Sequence, residues 1–176
     1  MSIFIVDENP HECVMPLSDQ HLVLQLKKTA DVLVCALNQR GINGPLLKGD
    51  LPLDAVVYVD WAMVDWDHFL WLTYYGMALA EEINHRTRTI PPTAATVYAA
   101  GNIAHAMAER DFSFPEEWPW PENSQEYWHC DVFFAYQRLL KTRYEEDCAR
   151  GDIPTWTRTH PPEWLTDTCV LPGGGR

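Results

Sequence analysis

Leu22, Leu26, Ala30, Leu33 and Leu37 recur at three- and four-residue intervals within residues 16–38, the period that lines side chains along one face of an α-helix. A run of this length and period predicts a central helix with that stripe in the core. Pro16 and Ser18 suit a helix entrance, Ser18 or Asp19 can hold the first free amides, and Gly41 suits the stop. His21, Gln25 and Lys28 form a neighbouring polar stripe at i, i+4 and i+7, which reads either as a solvated face or as one wall of a cleft.

The remaining elements follow from punctuation and period. Residues 2–6 (SIFIV) are a short apolar run bounded by Asp7 and Asn9-Pro10, expected as a buried strand or extended arm. Gly41, Gly44, Pro45, Gly49 and Pro52 make residues 38–54 an irregular connection. A short helix then runs to about Ala62, and a long aromatic one runs from a cap at Asp65 to His85, with Trp66, Phe69, Leu70, Thr73, Met77 and Ala80 at helical spacing. Pro91-Pro92 breaks the chain, and alanine-rich residues 93–110 predict a third long helix suited to close packing. Residues 111–123 are a rigid Pro/Trp loop. Ser124 is expected to cap a last helix to about Arg150, burying Tyr127, Val132, Phe133, Tyr136, Leu139 and Leu140 and ending at Gly151. The reading is a mainly α, single-domain helical bundle: an N-terminal arm with a short strand (1–15), a helical core (16–150) and an irregular Trp/Pro-rich tail that wraps (151–176), its last Gly-Gly-Gly-Arg disordered.

A chain of 176 residues, 47% hydrophobic, is long enough for a real core. It has no apolar run of membrane-spanning length and no basic segment leading an apolar one, so neither a membrane partner nor a secretory signal is expected and the setting reads as cytoplasmic. Five cysteines, an odd number without a C-x-x-C pair, are expected to be reduced. A net charge of −12 favours a small-molecule substrate or a protein partner over tight duplex DNA binding, although a local basic groove remains compatible with an acidic body.

P-loop and Rossmann glycine patterns, the G-x-S-x-G elbow and the H-E-x-x-H helix are absent from the sequence, which sets those classes aside. Polar residues on otherwise apolar helices remain: Asp19, His21 and Gln25; Asp60, Asp65, Asp67 and His68; Glu81, Glu82, His85 and Arg86. Glu82, His85 and Arg86 within one turn can supply a general acid or base beside an anion clamp, or simply close a helix whose dipole favours cations there. Trp118 and Trp120 between prolines either stack on a base or cap the core. Glu82-x-x-His85 and Glu126-x-x-His129 repeat the ligand spacing of di-iron and di-manganese carboxylate bundles, with Glu109 or Asp19 as further ligands, so a di-metal oxidase is an alternative to the main expectation of no metal and no cofactor.

The order SIFIVDENP, LSDQHLV, EINHR, FFAYQ and TWTRTHPPEWL resembles a family of small proteins of tailed bacteriophages, over nearly the whole chain. Residues 17–22 (LSDQHL) also resemble the early helix of pyrimidine-dimer DNA glycosylases of the endonuclease V type. That resemblance implies a mainly helical enzyme whose N-terminal α-amine, here that of Ser2 after removal of Met1, attacks the sugar C1′ beside a glutamate seven residues past the D-Q-H histidine. Lys28 stands at that position here, so another reaction on a base, such as pyrimidine hypermodification, stands beside excision.

The expectation is a phage-encoded enzyme of the host cytoplasm acting on a nucleobase or nucleotide in DNA. His21, Glu82 and Asp19 are the catalytic candidates, and Gln25, Lys28, His85, Arg86 and Trp118 the substrate-binding ones. The alternatives are an acidic, non-enzymatic phage protein that binds a host protein, and the di-metal oxidase. Oligomeric state is not readable from the sequence.

Overall fold

A computed structural model describes residues 2–42, 55–108, 111–121 and 129–166. The fold is mainly helical and bundle-like: α1 (Pro10–Val14), α2 (Asp19–Gln39), α3 (Val56–Met63), α4 (Trp66–Thr87), α5 (Ala94–Met107), α6 (Val132–Arg150) and α7 (Glu163–Thr166). α2 and α4 form the centre; α3 and α5 pack on both of them, and α1 packs on α4.

Local chemistry explains the boundaries. Ser18 caps α2 by accepting from the His21 amide, and Asp65 caps α4 by accepting from the His68 amide. α2 ends with Gly41 at φ 77°, where the Gly41 amide reaches Asn38 O at 3.0 Å and the Ile42 amide reaches Leu37 O at 2.9 Å, which satisfies carbonyls the helix would otherwise leave open. Gly151, at φ 88°, closes α6 in the same way. Arg40 ties the end of α2 to the α3–α4 junction, donating to Ala62 O and Asp65 O while its guanidinium lies 4.3 Å from the centroid of Trp66. Between α4 and α5 there is no spare room: a Cβ on Gly101 would come within 2.8 Å of the Thr73 methyl, and one on Gly76 within 2.8 Å of Val97.

The stripe of Leu22, Leu26, Ala30, Leu33 and Leu37 is buried as expected. Four expectations need correction. Residues 2–6 are extended and buried, but no strand occurs among the described residues, because side chains rather than a second strand take up their backbone groups. Asn9-Pro10, read as a boundary, opens α1: Asn9 caps it and Pro10 sits where its missing N–H costs nothing. α6 begins at Val132, where Asp131 accepts from the Phe133 and Phe134 amides; Ser124 and Tyr127 lie outside the described residues. Cys13, Cys35 and Cys130 are free thiols, whereas Cys148 is disulfide-bonded. The final Gly-Gly-Gly-Arg lies outside the described residues. No described helix is long and apolar enough to cross a membrane.

Candidate functional site

The polar stripe of α2 is neither solvated nor an open wall. His21, Gln25 and Lys28 are 4%, 0% and 7% exposed: the N-terminal arm lies on Gln25, Phe4, Tyr144 and Asp147 surround His21, and Lys28 lies by Tyr58. Gln25 holds the arm by its backbone: Nε2 donates to Ser2 O at 2.8 Å, while Oε1 accepts from the Phe4 amide at 3.3 Å and from the Tyr75 hydroxyl at 3.2 Å. Tyr58 donates to Ile3 O at 3.3 Å, and Lys28 Nζ lies 5.7 Å from the centroid of the Tyr58 ring. The Phe4 ring meets the His21 ring edge-on at 6.1 Å.

The first turn of α2 meets the last turns of α4 at one guanidinium. Arg86 is 2% exposed; its Nε donates to Glu82 Oε1 at 2.7 Å, and its Nη1 donates to Leu17 O at 2.8 Å and Asp19 Oδ1 at 3.0 Å. Its Nη2 is buried without a hydrogen-bond partner. A desolvated arginine is stabilised by two carboxylates and a carbonyl, so the group expected to clamp an anion is already engaged by anions of the protein. His85 is exposed, and its carbonyl accepts from Arg158 Nη1 at 3.2 Å.

Residues 155–158, which run into a turn at Thr157 and Arg158, close this junction as a strap. Thr155 Oγ1 and Thr157 Oγ1 each donate to Asp19 Oδ2 at 2.8 Å, the Thr157 amide donates to both carboxylate oxygens at 3.1 Å, and the Asp19 amide donates to Thr155 O at 2.9 Å. Partial burial opposes ionisation of Asp19, but the donors from Arg86, Thr157 and Thr155 outweigh it and hold its pKa below 3.8. Beside the strap, Trp156 packs edge-on against Tyr144 at 5.4 Å, and both donate to Pro16 O.

His21 sits behind the same turn. Its Nδ1 is 2.8 Å from Ser18 Oγ, and its Nε2 is 3.6 Å from Asp147 Oδ2 on α6. Burial lowers its pKa below 6.5, with Asp147 pulling upward and Arg143 downward, so the ring is neutral at pH 7. Asp147 in turn holds Arg150, with Arg143 Nε at 3.5 Å. A neutral imidazole between a hydroxyl and a carboxylate can move a proton between them, given access to a reacting group.

Asp19, Glu82 and Arg86 therefore share one junction, with the backbone of His85 at its edge, while His21 lies on the same first turn of α2 and is held by Ser18 and Asp147. Gln25 and Lys28 belong to the arm's bed. Trp118 is elsewhere: it stacks on Trp61 at 5.7 Å and meets Trp71 and Phe133 edge-on, capping the core. Trp71 precedes Arg86 on α4 by fifteen residues, about 22 Å of helix, so Trp118 is not part of the junction. For a di-metal centre, Glu82 is bound to Arg86 and Glu126 lies outside the described residues; among those described, no group of three or more His, Cys, Asp or Glu side chains gathers to hold an ion. Sequence reading missed Ser18 as the partner of His21, and Tyr144, Asp147, Thr155 and Thr157 altogether. Only the T-W-T repeat of hydroxyls, two residues apart and so on one side of an extended chain, carried a signal.

Comparison with protein-family models, with curated proteins and with solved structures finds no match for this chain. By its own structure it is a mainly helical protein whose buried ionic junction is closed by a strap from the C-terminal side.

Proposed function

We propose that this chain is a phage-encoded enzyme of the host cytoplasm that acts on a nucleobase or nucleotide, as its resemblance implies, and that the junction of α2, α4 and the strap is its site. His21 is the proton-transferring group. Asp19 holds the substrate, and Glu82 and Arg86 fix the carboxylate in place. The observation that carries the reading is the Arg86 guanidinium, which bonds both Glu82 and Asp19 and so joins the end of α4 to the turn bearing His21. Groups far apart in sequence thereby meet in a water-poor setting, where electrostatic interactions are strong.

The strap covers Asp19, so a substrate reaches that carboxylate when the strap lifts, and reaches His21 when Trp156 of the strap and Tyr144, whose ring meets His21 edge-on at 5.0 Å, move with it. The test is incubation of the protein with nucleosides and with phage DNA, followed by mass spectrometry of the nucleosides. The expected result is a changed base with the wild type and a loss of roughly 10²–10⁴-fold with His21→Asn, the range for a general acid–base residue. Undiminished turnover by His21→Asn overturns the assignment. A stoichiometric host protein in pull-downs, with nucleosides and DNA untouched, selects the acidic binding protein instead.

A further inference from the structure

The strap shows what the junction can bind. Asp19 receives two hydroxyls and one amide from residues 155–157, and the Asp19 amide is taken by the strap as well. With the strap lifted, the seat would present two carboxylate oxygens as acceptors and the freed amide of Asp19 as a donor, beside the Arg86 guanidinium whose Nη1 already bonds Asp19 Oδ1. Each hydroxyl of a diol both donates and accepts, so neighbouring hydroxyls match such a mixed array.

Charge decides between ligand classes. One guanidinium lies between two carboxylates, so Asp19, Glu82 and Arg86 together are net negative, and Arg158, on the strap, leaves with it. A phosphate brought there would meet like charge in a partly desolvated site, whereas a neutral ligand would not. Apart from buried Pro154 and half-buried Trp156, which packs on Tyr144, the segment is open to solvent: residues 151–153, 155, 157 and 158 are exposed, and Arg158 holds a left-handed backbone, φ 63°, that a non-glycine residue adopts at a cost.

We propose that Asp19, backed by Arg86, is a seat for a neutral vicinal diol of the ribonucleoside class, and that Thr155 and Thr157 occupy this seat as an internal competitor. This narrows the substrate of the site proposed above to a free ribonucleoside, setting aside nucleotides and DNA, which lacks the 2′-hydroxyl, and it rests on that reading for the base but not for the diol. Binding of the ligand and attachment of the strap are mutually exclusive, so the ligand frees the strap and loss of the strap's hydroxyls strengthens the ligand.

The experiment uses the full chain with uridine, methyl riboside, 2′,3′-dideoxyuridine and uridine 5′-monophosphate, reading heat of binding and hydrogen exchange of residues 152–158. Uridine should accelerate exchange of the Thr157 amide, dideoxyuridine should leave it unchanged, and the monophosphate should bind more weakly than uridine. The double variant Thr155→Val/Thr157→Val should bind uridine about tenfold more tightly, the scale of one hydrogen bond to a charged group. Asp19→Asn should lose binding while its strap exchanges faster. Methyl riboside binding as well as uridine keeps the seat and removes the base from it. The proposal is overturned if dideoxyuridine binds as well as uridine, or if uridine neither binds the double variant nor alters strap exchange. None of these readouts involves turnover, so an inert enzyme with a diol-responsive strap would refute the catalytic reading alone.

Discussion

Two non-helical segments lie on this helical body, and they are held by opposite means. The arm, residues 2–6, is no more than 6% exposed at any position, and neutral side chains satisfy its backbone: Gln25 at Ser2 and Phe4, Tyr58 at Ile3, Gln137 at Val6. The strap, residues 155–158, is mostly exposed, and one ionised carboxylate gathers most of its bonds. Burying Ile3, Phe4, Ile5 and Val6 is worth about 1.5–3 kcal/mol each, whereas a hydrogen bond to a charged group contributes about 1.5–3 kcal/mol at best and less where water competes. The arm is therefore part of the core, and the strap is a cover.

Gln25→Leu should produce the largest break. It removes the donor to Ser2 O and the acceptor shared by the Phe4 amide and the Tyr75 hydroxyl in the interior. An expected cost on the order of 3–5 kcal/mol would appear as a fall in Tm of roughly 10 °C or more. A fall of only a degree or two would mean that the arm is held by its apolar side chains alone.

Gly101→Ala probes the body both segments lie on. Its new methyl would meet the stiff Thr73 side chain and the flexible end of Met77, at 2.8 and 2.7 Å. The expected loss is about 1–3 kcal/mol in denaturant unfolding, with no selective effect on arm or strap.

Asp19→Asn should act chiefly on the strap, and secondarily on the Arg86 pair that joins α2 to α4. An amide in place of a carboxylate turns one acceptor into a donor facing the hydroxyls and amide of the strap. Limited proteolysis should then cut within residues 152–158, with Tm lowered by only a few degrees, while the arm keeps its protection. Equal loosening of both segments would contradict the division.

The pH dependence sharpens the contrast further. The folded-state pKa of Asp19 lies below 3.8, so its contribution is complete above the unfolded pKa and is lost as pH falls through the lower folded value. His21 has the same sign: its folded pKa lies below 6.5, so the unfolded chain binds the proton first and stability declines as pH falls below about 6.5. Unfolding followed from pH 8 to pH 3 should show no loss above 6.5 and a slope below it that His21→Asn reduces. Gln25 and Gln137, which hold the arm at Ser2, Phe4 and Val6, are amides that do not titrate, so those bonds should add nothing to that slope.

Much of this was readable from sequence because it is local. Ser18, Asp65, Gly41 and Gly151 act within one turn of the groups they satisfy, and the Leu22–Leu37 stripe needs only helical period. The candidate site was readable in part: Asp19, His21, Glu82 and Arg86 stood out as polar residues on apolar helices. Their partners did not. Tyr144 reaches Ser18 across 126 residues and Thr157 reaches Asp19 across 138, separations that no spacing rule covers. The expected strand failed for a related reason, since an apolar run signals burial but not which groups will meet its backbone.

Two amides carry the central contrast, the Phe4 amide on Gln25 and the Thr157 amide on Asp19, and native-state hydrogen exchange at neutral pH reads both in one experiment. The account predicts that Phe4 exchanges only with global unfolding, while Thr157 exchanges at least about tenfold faster through local opening of the strap. Equal protection of the two amides would contradict it, since the strap would then be as fixed as the arm and no substrate could reach Asp19 beneath it.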